Sequence, residues 1–162
     1  MSDFNIAIPK TLAREGGSKF TDIQGDAGGA TKYGISQRAY PNEDIRNLTE
    51  ARAREIYRRD YWDRVRGDDI ASQAIAEQIF DTAVNMGVRT ASRLAQVTLG
   101  IEPADGVIGS RSLEAINAAD EPQFVAEFTI AKIARYAAIC NKDRSQSRFL
   151  LGWLNRALGG TV

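Results

Sequence analysis

The sequence predicts a mainly α protein that forms one compact unit, with a small glycine-rich lobe near its N-terminus. The chain has 162 residues, which is about one domain's worth. Apolar residues recur at helical spacing over most of the chain. Between residues 16 and 35, by contrast, six glycines occur and the helical period is lost.

The first helix is predicted to begin after Asp3, whose carboxylate can cap it, and to bend at Pro9. It should end at Gly16-Gly17, because paired glycines readily adopt the left-handed conformation that closes a helix. Residues 16–35 are then expected to form a loop or a small β-hairpin.

Helical patterning resumes after Ser36 and accounts for most of the remaining chain. One predicted helix begins at Thr49-Glu50, which are good capping and first-turn residues. Asp120 is the expected cap of a long helix that starts at Pro122. The long helix is predicted over residues 122–140. Four further helices are predicted over 70–86, 90–99, 110–116 (capped by Ser110) and 146–158.

The composition excludes several kinds of catalytic site. The chain contains no histidine, which excludes Ser-His-Asp and Cys-His catalysis, phosphohistidine chemistry and zinc sites that need imidazole. Cys140 is the only cysteine, so no disulfide forms within the chain. Chemistry must rest mainly on carboxylates, hydroxyls, amides or lysine, and no metal or cofactor is expected.

The charges are balanced overall but unevenly distributed. With 21 basic and 21 acidic residues, the chain is a poor candidate for a nucleic-acid-binding protein. Residues 129–162 carry six basic groups and one acidic group. Either these are solvated helix faces or they form a basic patch that holds a polyanionic surface. The residues of this candidate patch are Lys132, Arg135, Lys142, Arg144, Arg148 and Arg156.

No targeting or membrane-spanning segment is evident. The first residues lack a basic region followed by an apolar stretch of signal length, and nowhere do 18 apolar residues run together. We therefore expect a chain made in the cytoplasm without a signal peptide and without a membrane span.

Glu15 is the leading candidate for chemistry. It lies at the end of the first predicted helix, where the partial negative charge of unpaired carbonyl groups disfavours a second anion. If water is also excluded there, the carboxyl group should keep its proton, as the general acid of a glycosidase must. The alternative is a surface residue at an ordinary helix end.

Asp26 and Thr31 follow Glu15 by eleven and sixteen residues. A hairpin lobe would fold both back across a cleft that faces the glutamate. Asp26 would then hold or deprotonate a water molecule, or stabilise positive charge at the anomeric carbon, and Thr31 would position that water. The alternative for Asp26 is a residue that merely stabilises a turn. From these residues alone, a carboxylate-based hydrolase is only a hypothesis.

Longer motifs carry a family resemblance. Glu15-Gly-Gly, followed by D-x-G-G-x-T-x-Y-G-I from Asp26 to Ile35, resembles the signature of glycoside hydrolase family 108. Members are lysozyme-like peptidoglycan hydrolases of phage endolysins and of a bacterial secretion system. The similarity continues through F-D-x-A-V-N-x-G at residues 80–87. The D-G-x-I-G run at 105–109 and the F-L-x-G-W-L-N-R run at 149–156 are similar to the family's predicted peptidoglycan-binding segment.

The resemblance implies a lysozyme-like helical body with residues 1–88 as the catalytic segment and residues 89–162 as a C-terminal helical segment in the same unit. It implies cleavage of the β-1,4 bond between N-acetylmuramic acid and N-acetylglucosamine, with Glu15 as the family's catalytic glutamate. Asp26 and Thr31 match the second acid and the threonine of other lysozyme-like enzymes with altered spacing, and Asp22 is a rival second carboxylate.

Four further residues are candidates for substrate contact. Tyr33 would stack on a sugar or pack under the hairpin, and Tyr61 would bind substrate or join the core. Asp81 and Asn85 are four residues apart, hence on one helix face, where they line the cleft or join the two lobes.

The implied partners are peptidoglycan glycan strands. The enzyme is expected to be a monomer that acts on the wall in the periplasm, of a host cell if the protein is phage-encoded. A holin or another release pathway would give it access to the wall. Two alternatives remain open. One is a lytic transglycosylase that acts on the same bond, and the other is a non-catalytic wall-binding or virion structural protein.

Overall fold

The computed structural model describes residues 1–22 and 29–159, and the predicted mainly α, lysozyme-like fold with a small hairpin lobe is confirmed. Asp26 lies outside the described residues. Within the described ranges there are seven α-helices and one two-stranded antiparallel sheet. In chain order they are α1 Phe4–Arg14, β1 Thr31–Lys32, β2 Ile35–Ser36, α2 Glu50–Tyr57, α3 Gln73–Met86, α4 Val88–Thr98, α5 Ser110–Ala118, α6 Glu121–Lys142 and α7 Leu150–Ala157.

Three predicted helix starts are confirmed by their capping hydrogen bonds. The Asp3 carboxylate accepts the N–H of Asn5 at 2.7 Å. The side chains of Thr49 and Asp120 cap α2 and α6 in the same way. Capping satisfies N–H groups that have no partner within the helix, which explains why local sequence alone identifies these positions.

Four predicted boundaries were wrong. Residues 37–48 form turns instead of helix, because Pro41 lacks an N–H and disfavours helical geometry in the preceding residue. The N-cap of α5 is Gly109 instead of Ser110. The helix α3 begins at Gln73 instead of residue 70, with Ser72 as its N-cap. The predicted helix over 146–158 is divided into a 3₁₀ segment, Arg144–Phe149, and α7.

An aromatic cluster anchors α1 in the core. The rings of Phe4, Trp62 and Phe80 pack edge to face, with centroids 5.4–5.9 Å apart. Trp62 ends a π-helical turn over Arg58–Trp62, and its indole N–H donates to Asp68 at 2.8 Å. Because α1 and α3 share this cluster, the C-terminal end of α1 has a fixed position relative to α3.

A buried lysine links the helices of the C-terminal half to α3. Lys132 of α6 is only 4% exposed, and its ammonium group donates to Gln78 of α3 at 2.7 Å and to the carbonyl of Ala157 in α7 at 3.4 Å. Burial lowers the pKa of Lys132 to about 8, although the charge of Asp81 opposes this. Lys132 is therefore part of the interior and not of a surface patch.

Within residues 1–22 and 29–159, no helix combines the length and the apolar character that crossing a bilayer requires.

Candidate active site

Glu15 lies at the point where α1 ends. Its backbone N–H still donates to the carbonyl of Thr11 at 3.0 Å, and the chain then turns through Gly16 and Gly17, whose φ angles are +88° and +59°. The side chain is 21% exposed. The carboxylate is thus held at the C-terminal end of a helix, partly shielded but still accessible from one side.

An arginine from the opposite end of the chain bridges two carboxylates here. Arg156 of α7 donates through Nη2 to Glu15 Oε1 at 2.8 Å and to Asp81 Oδ1 at 3.1 Å. The side chains of Arg156 and Asp81 are 21% and 12% exposed, and Arg14 also pairs with Asp81 at 3.1 Å. Burial opposes the charge of Arg156, but the charges of Asp81 and Glu15 outweigh it and raise the pKa of Arg156 above its ordinary value.

The arginine changes the electrostatics expected from the sequence. The sequence predicts only the negative end of a helix beside Glu15. The structure also places the guanidinium group of Arg156 there, so the Glu15 carboxylate has a charged hydrogen-bond donor as its partner.

The hairpin turn packs directly against Glu15. Tyr33 and Gly34 connect β1 to β2, and both have positive φ angles, 54° and 74°. The hydroxyl of Tyr57 donates to the carbonyl of Tyr33 at 2.8 Å. Burial and the charge of Glu15 raise the pKa of Tyr57, so the hydroxyl remains a hydrogen-bond donor near neutral pH.

Substitution of Gly34 by alanine should damage the site. A Cβ atom there would lie 2.6 Å from the Tyr57 hydroxyl oxygen and 2.7 Å from the Cβ of Glu15, so the turn must move away from the carboxylate. We expect Gly34→Ala to lower the free energy of unfolding by about 1–3 kcal/mol and to reduce activity further than that loss explains. Chemical denaturation and turnover of purified peptidoglycan would measure the two effects.

Gly100→Ala is the matched control for this substitution. Gly100 also has a positive φ, +63°, but no heavy atom lies within 4 Å of its added Cβ. Gly100→Ala should therefore lower the free energy of unfolding through backbone strain but retain the wild-type activity. Equal activity losses in the two variants would contradict a specific role for the contact between Gly34 and Glu15.

The other hydrolytic candidates flank this turn. Thr31 lies in β1, half-buried, and its hydroxyl donates to the carbonyl of Gly29 at 3.2 Å. Its backbone pairs with Thr21 in an isolated bridge. Asp22 is exposed, and the preferred second carboxylate, Asp26, lies outside the described residues.

The remaining candidates differ in their surroundings. Tyr33 is half-buried at the hairpin turn, and Tyr61 packs beside Tyr57 with ring centroids 5.7 Å apart. Asn85 is exposed and donates to the hydroxyl of Tyr136 at 2.9 Å, which connects α3 to α6. Asp81 of α3 forms ion pairs with Arg14 of α1 and with Arg156 of α7, so it connects these three helices.

Sequence reasoning missed Arg156 as a site residue, because it assigned this arginine to a C-terminal basic patch. Arg156 and Glu15 are 141 positions apart, and no local pattern connects them. Lys132 is buried and Arg148 stacks over Phe149, so these members of the candidate patch do not act as one surface. In the described ranges, no group of three or more acidic or cysteine side chains is arranged to hold a metal ion.

The chain is similar to known proteins over most of its length. Residues 8–87, which include Glu15 and the hairpin, match the glycosyl hydrolase 108 family, and residues 90–158, which include Arg156, match a predicted peptidoglycan domain. A solved structure of Brucella abortus SagA is similar, with a TM-score of 0.72 and 28% sequence identity over 96% of this chain and 94% of that chain. No curated protein matches the chain. Together these matches support a peptidoglycan hydrolase: residues 8–87 carry a glycosyl hydrolase 108 domain, which makes the chain a glycoside hydrolase, and residues 90–158 carry a predicted peptidoglycan domain.

Proposed function

We propose that the protein is an N-acetylmuramidase, which hydrolyses the β-1,4 bond between N-acetylmuramic acid and N-acetylglucosamine and so lyses cells. In this proposal Glu15 donates a proton to the glycosidic oxygen. The observation that carries the proposal is the position of Glu15 at the end of α1. There its carboxylate is partly exposed, contacts the hairpin turn and pairs with Arg156.

In this mechanism a bound glycan strand lies against the exposed side of the Glu15 carboxyl group and excludes water from it. Arg156 keeps Asp81 as a partner while Glu15 transfers its proton, because both carboxylates accept hydrogen bonds from the same Nη2 atom. Asp81 thus acts through Arg156, which holds the side chain of Glu15 in place.

The other proposed roles follow from the sequence. Asp26 with Thr31 holds the attacking water or stabilises the oxocarbenium-like charge, and Asp22 is the rival second carboxylate. Tyr33, Tyr61 and Asn85 are proposed substrate contacts. Unlike Arg156, none of these three side chains forms a hydrogen bond with Glu15 in the described part of the chain.

We also propose that the two segments of the chain have different functions. Residues 1–88 form the catalytic segment and residues 89–162 bind the wall, in one compact monomer. The contacts of Arg156 with Glu15 and of Lys132 with Gln78 support a single unit. In the cell, the enzyme reaches the periplasmic wall through a holin or another release pathway.

The masses of the released fragments test the reaction. Hydrolysis leaves a reducing N-acetylmuramic acid end, whereas a lytic transglycosylase forms a 1,6-anhydro end that is lighter by one water molecule. We expect mass spectrometry of digested sacculi to find reducing muramic acid ends. Anhydro ends would assign the transglycosylase reaction, and reducing glucosamine ends would assign cleavage of the other glycosidic bond.

A further inference from the structure

Three adjoining cavities on the C-terminal half of the fold share arginine side chains. Arg64 and Arg89 line the first, of about 560 Å³, and Arg89 also lines the second, of about 190 Å³, together with Arg93 and Arg135. Arg135 in turn lines the third, of about 570 Å³, with Lys142. We call this row of cavities and its five cations the arginine groove.

Two helices direct the central cations into one cavity. Arg89 and Arg93 are four residues apart in α4, so they lie on the same helix face, and Arg135 comes from the neighbouring helix α6. Thr90 and Leu94 complete the lining of this cavity, which contains no acidic side chain. Like charges at this spacing repel one another, so the arrangement is unfavourable unless an anion neutralises it.

The central cations of the groove have no acidic partner at ion-pair distance within the described residues. Many other arginines of the chain form ion pairs with Asp or Glu, for example Arg52 with Glu43 and Arg66 with Asp69. Within residues 1–22 and 29–159, by contrast, no ion pair involves Arg93, Arg135 or Lys142.

The two acidic residues in the outer cavities are engaged in local hydrogen bonds. Asp105, which also attracts Arg89, accepts hydrogen bonds from Gln96 and from the N–H of Val107. Asp143 accepts hydrogen bonds from Ser145 and Gln146 and caps the 3₁₀ segment. Arg93 and Arg135, which form no ion pair with any described residue, therefore remain available in the middle cavity to an anion from outside the protein.

We propose that the arginine groove binds the carboxylates of peptidoglycan stem peptides, an inference that rests on the proposed function. The planar guanidinium group matches a carboxylate with two parallel hydrogen bonds. In a glycan strand with attached peptides, the sugars offer neutral hydroxyl and acetamido groups and the peptides carry the carboxylates. Arg93, Arg135 and Lys142 all lie in the segment that matches the peptidoglycan domain.

The zero net charge of the whole chain favours a confined binding site for short peptides over a general polyanion-binding surface. Because the chain has equal numbers of acidic and basic residues, it has no general attraction for polyanions, and the groove is a confined positive region. A nucleic acid would require a longer basic surface to follow its phosphates. Short peptides with separated carboxylates fit three small cavities in a row.

The test compares two double variants of the full-length chain that carry the same net charge. Arg93→Gln with Arg135→Gln removes the centre of the groove, and Arg54→Gln with Arg111→Gln removes two arginines outside it. Binding is measured by co-sedimentation in the cold with sacculi freed of phosphate polymers by hydrofluoric acid. A second batch of these sacculi has its carboxylates converted to neutral amides with a carbodiimide and ammonia.

We expect the groove variant to bind native sacculi about tenfold more weakly than the control variant. On amidated sacculi, the two variants and the wild type should bind equally. Equal binding of both variants to native sacculi would overturn the proposal, as would a loss that persists on amidated sacculi. If the groove variant loses only affinity for a labelled DNA duplex, the surface binds nucleic acid instead.

This experiment is independent of the reaction assigned to Glu15. Its readout is binding, so it distinguishes a failed groove from a failed muramidase. Transglycosylase products in the fragment analysis would leave the binding result intact, whereas equal binding of the variants would leave the muramidase assignment intact.

Discussion

Replacement of Arg156 by methionine is expected to lower the free energy of unfolding by about 2–3 kcal/mol. Methionine fills a similar volume but leaves Glu15 and Asp81, which now share one Nη2 atom, without a cation between them. Arg14 still pairs with Asp81, so the loss should be smaller than for a fully isolated buried charge. Urea denaturation of the purified variant measures the change.

A double variant identifies the cause of this destabilisation. Asp81→Asn removes one of the two carboxylates, so Arg156→Met combined with Asp81→Asn should lose less stability than the sum of the single variants. Arg148→Met is the matched control, because Arg148 is exposed and stacks on Phe149. Strictly additive losses at positions 156 and 81 would contradict a shared charge cluster.

The maximum rate per folded molecule separates positioning from simple stability. Arg156 Nη2 lies 2.8 Å from the Glu15 carboxylate, so Arg156→Met should lower the maximum rate of the folded enzyme because Glu15 is no longer held. Arg156→Lys keeps a hydrogen-bond donor and the charge, so it should lose less of the maximum rate. A wild-type maximum rate in folded Arg156→Met would mean that the arginine only stabilises the fold.

The features that the sequence predicts correctly are those determined by neighbouring residues. The caps at Asp3, Thr49 and Asp120 act on N–H groups two or three positions away, so they are readable without tertiary information. The glycines at 16 and 17 end α1 for an equally local reason, since both have positive φ angles. The position of Glu15 at a helix end was predictable for this reason.

The features that the sequence does not predict depend on distant contacts. Arg156 and Lys132 occur in a basic stretch, but α6 and α7 pack against α3 and bury Lys132 beside Gln78. The same packing brings Arg156 to Glu15 and Asp81. Helical periodicity identifies which residues share a face, but it does not identify the face that another helix covers.

Replacement of Glu15 by glutamine is expected to reduce hydrolysis by about a hundred- to ten-thousand-fold. The amide has nearly the same shape and can still accept the hydrogen bond from Arg156, but it carries no proton that it can transfer to the glycosidic oxygen. The fold should be retained, since Glu15→Gln leaves Arg156 paired with Asp81. Glu50→Gln, which replaces an exposed glutamate paired with Arg54 in α2, is the matched control and should retain full activity.

The release of soluble fragments from purified sacculi by folded Glu15→Gln protein tests the central claim most directly. Circular dichroism and urea denaturation first establish that the variant is folded. The account predicts fragment release at least about a hundredfold slower than by the wild type and by Glu50→Gln, which should both release fragments normally. Release by folded Glu15→Gln at the wild-type rate would contradict the assignment of Glu15 as the proton donor.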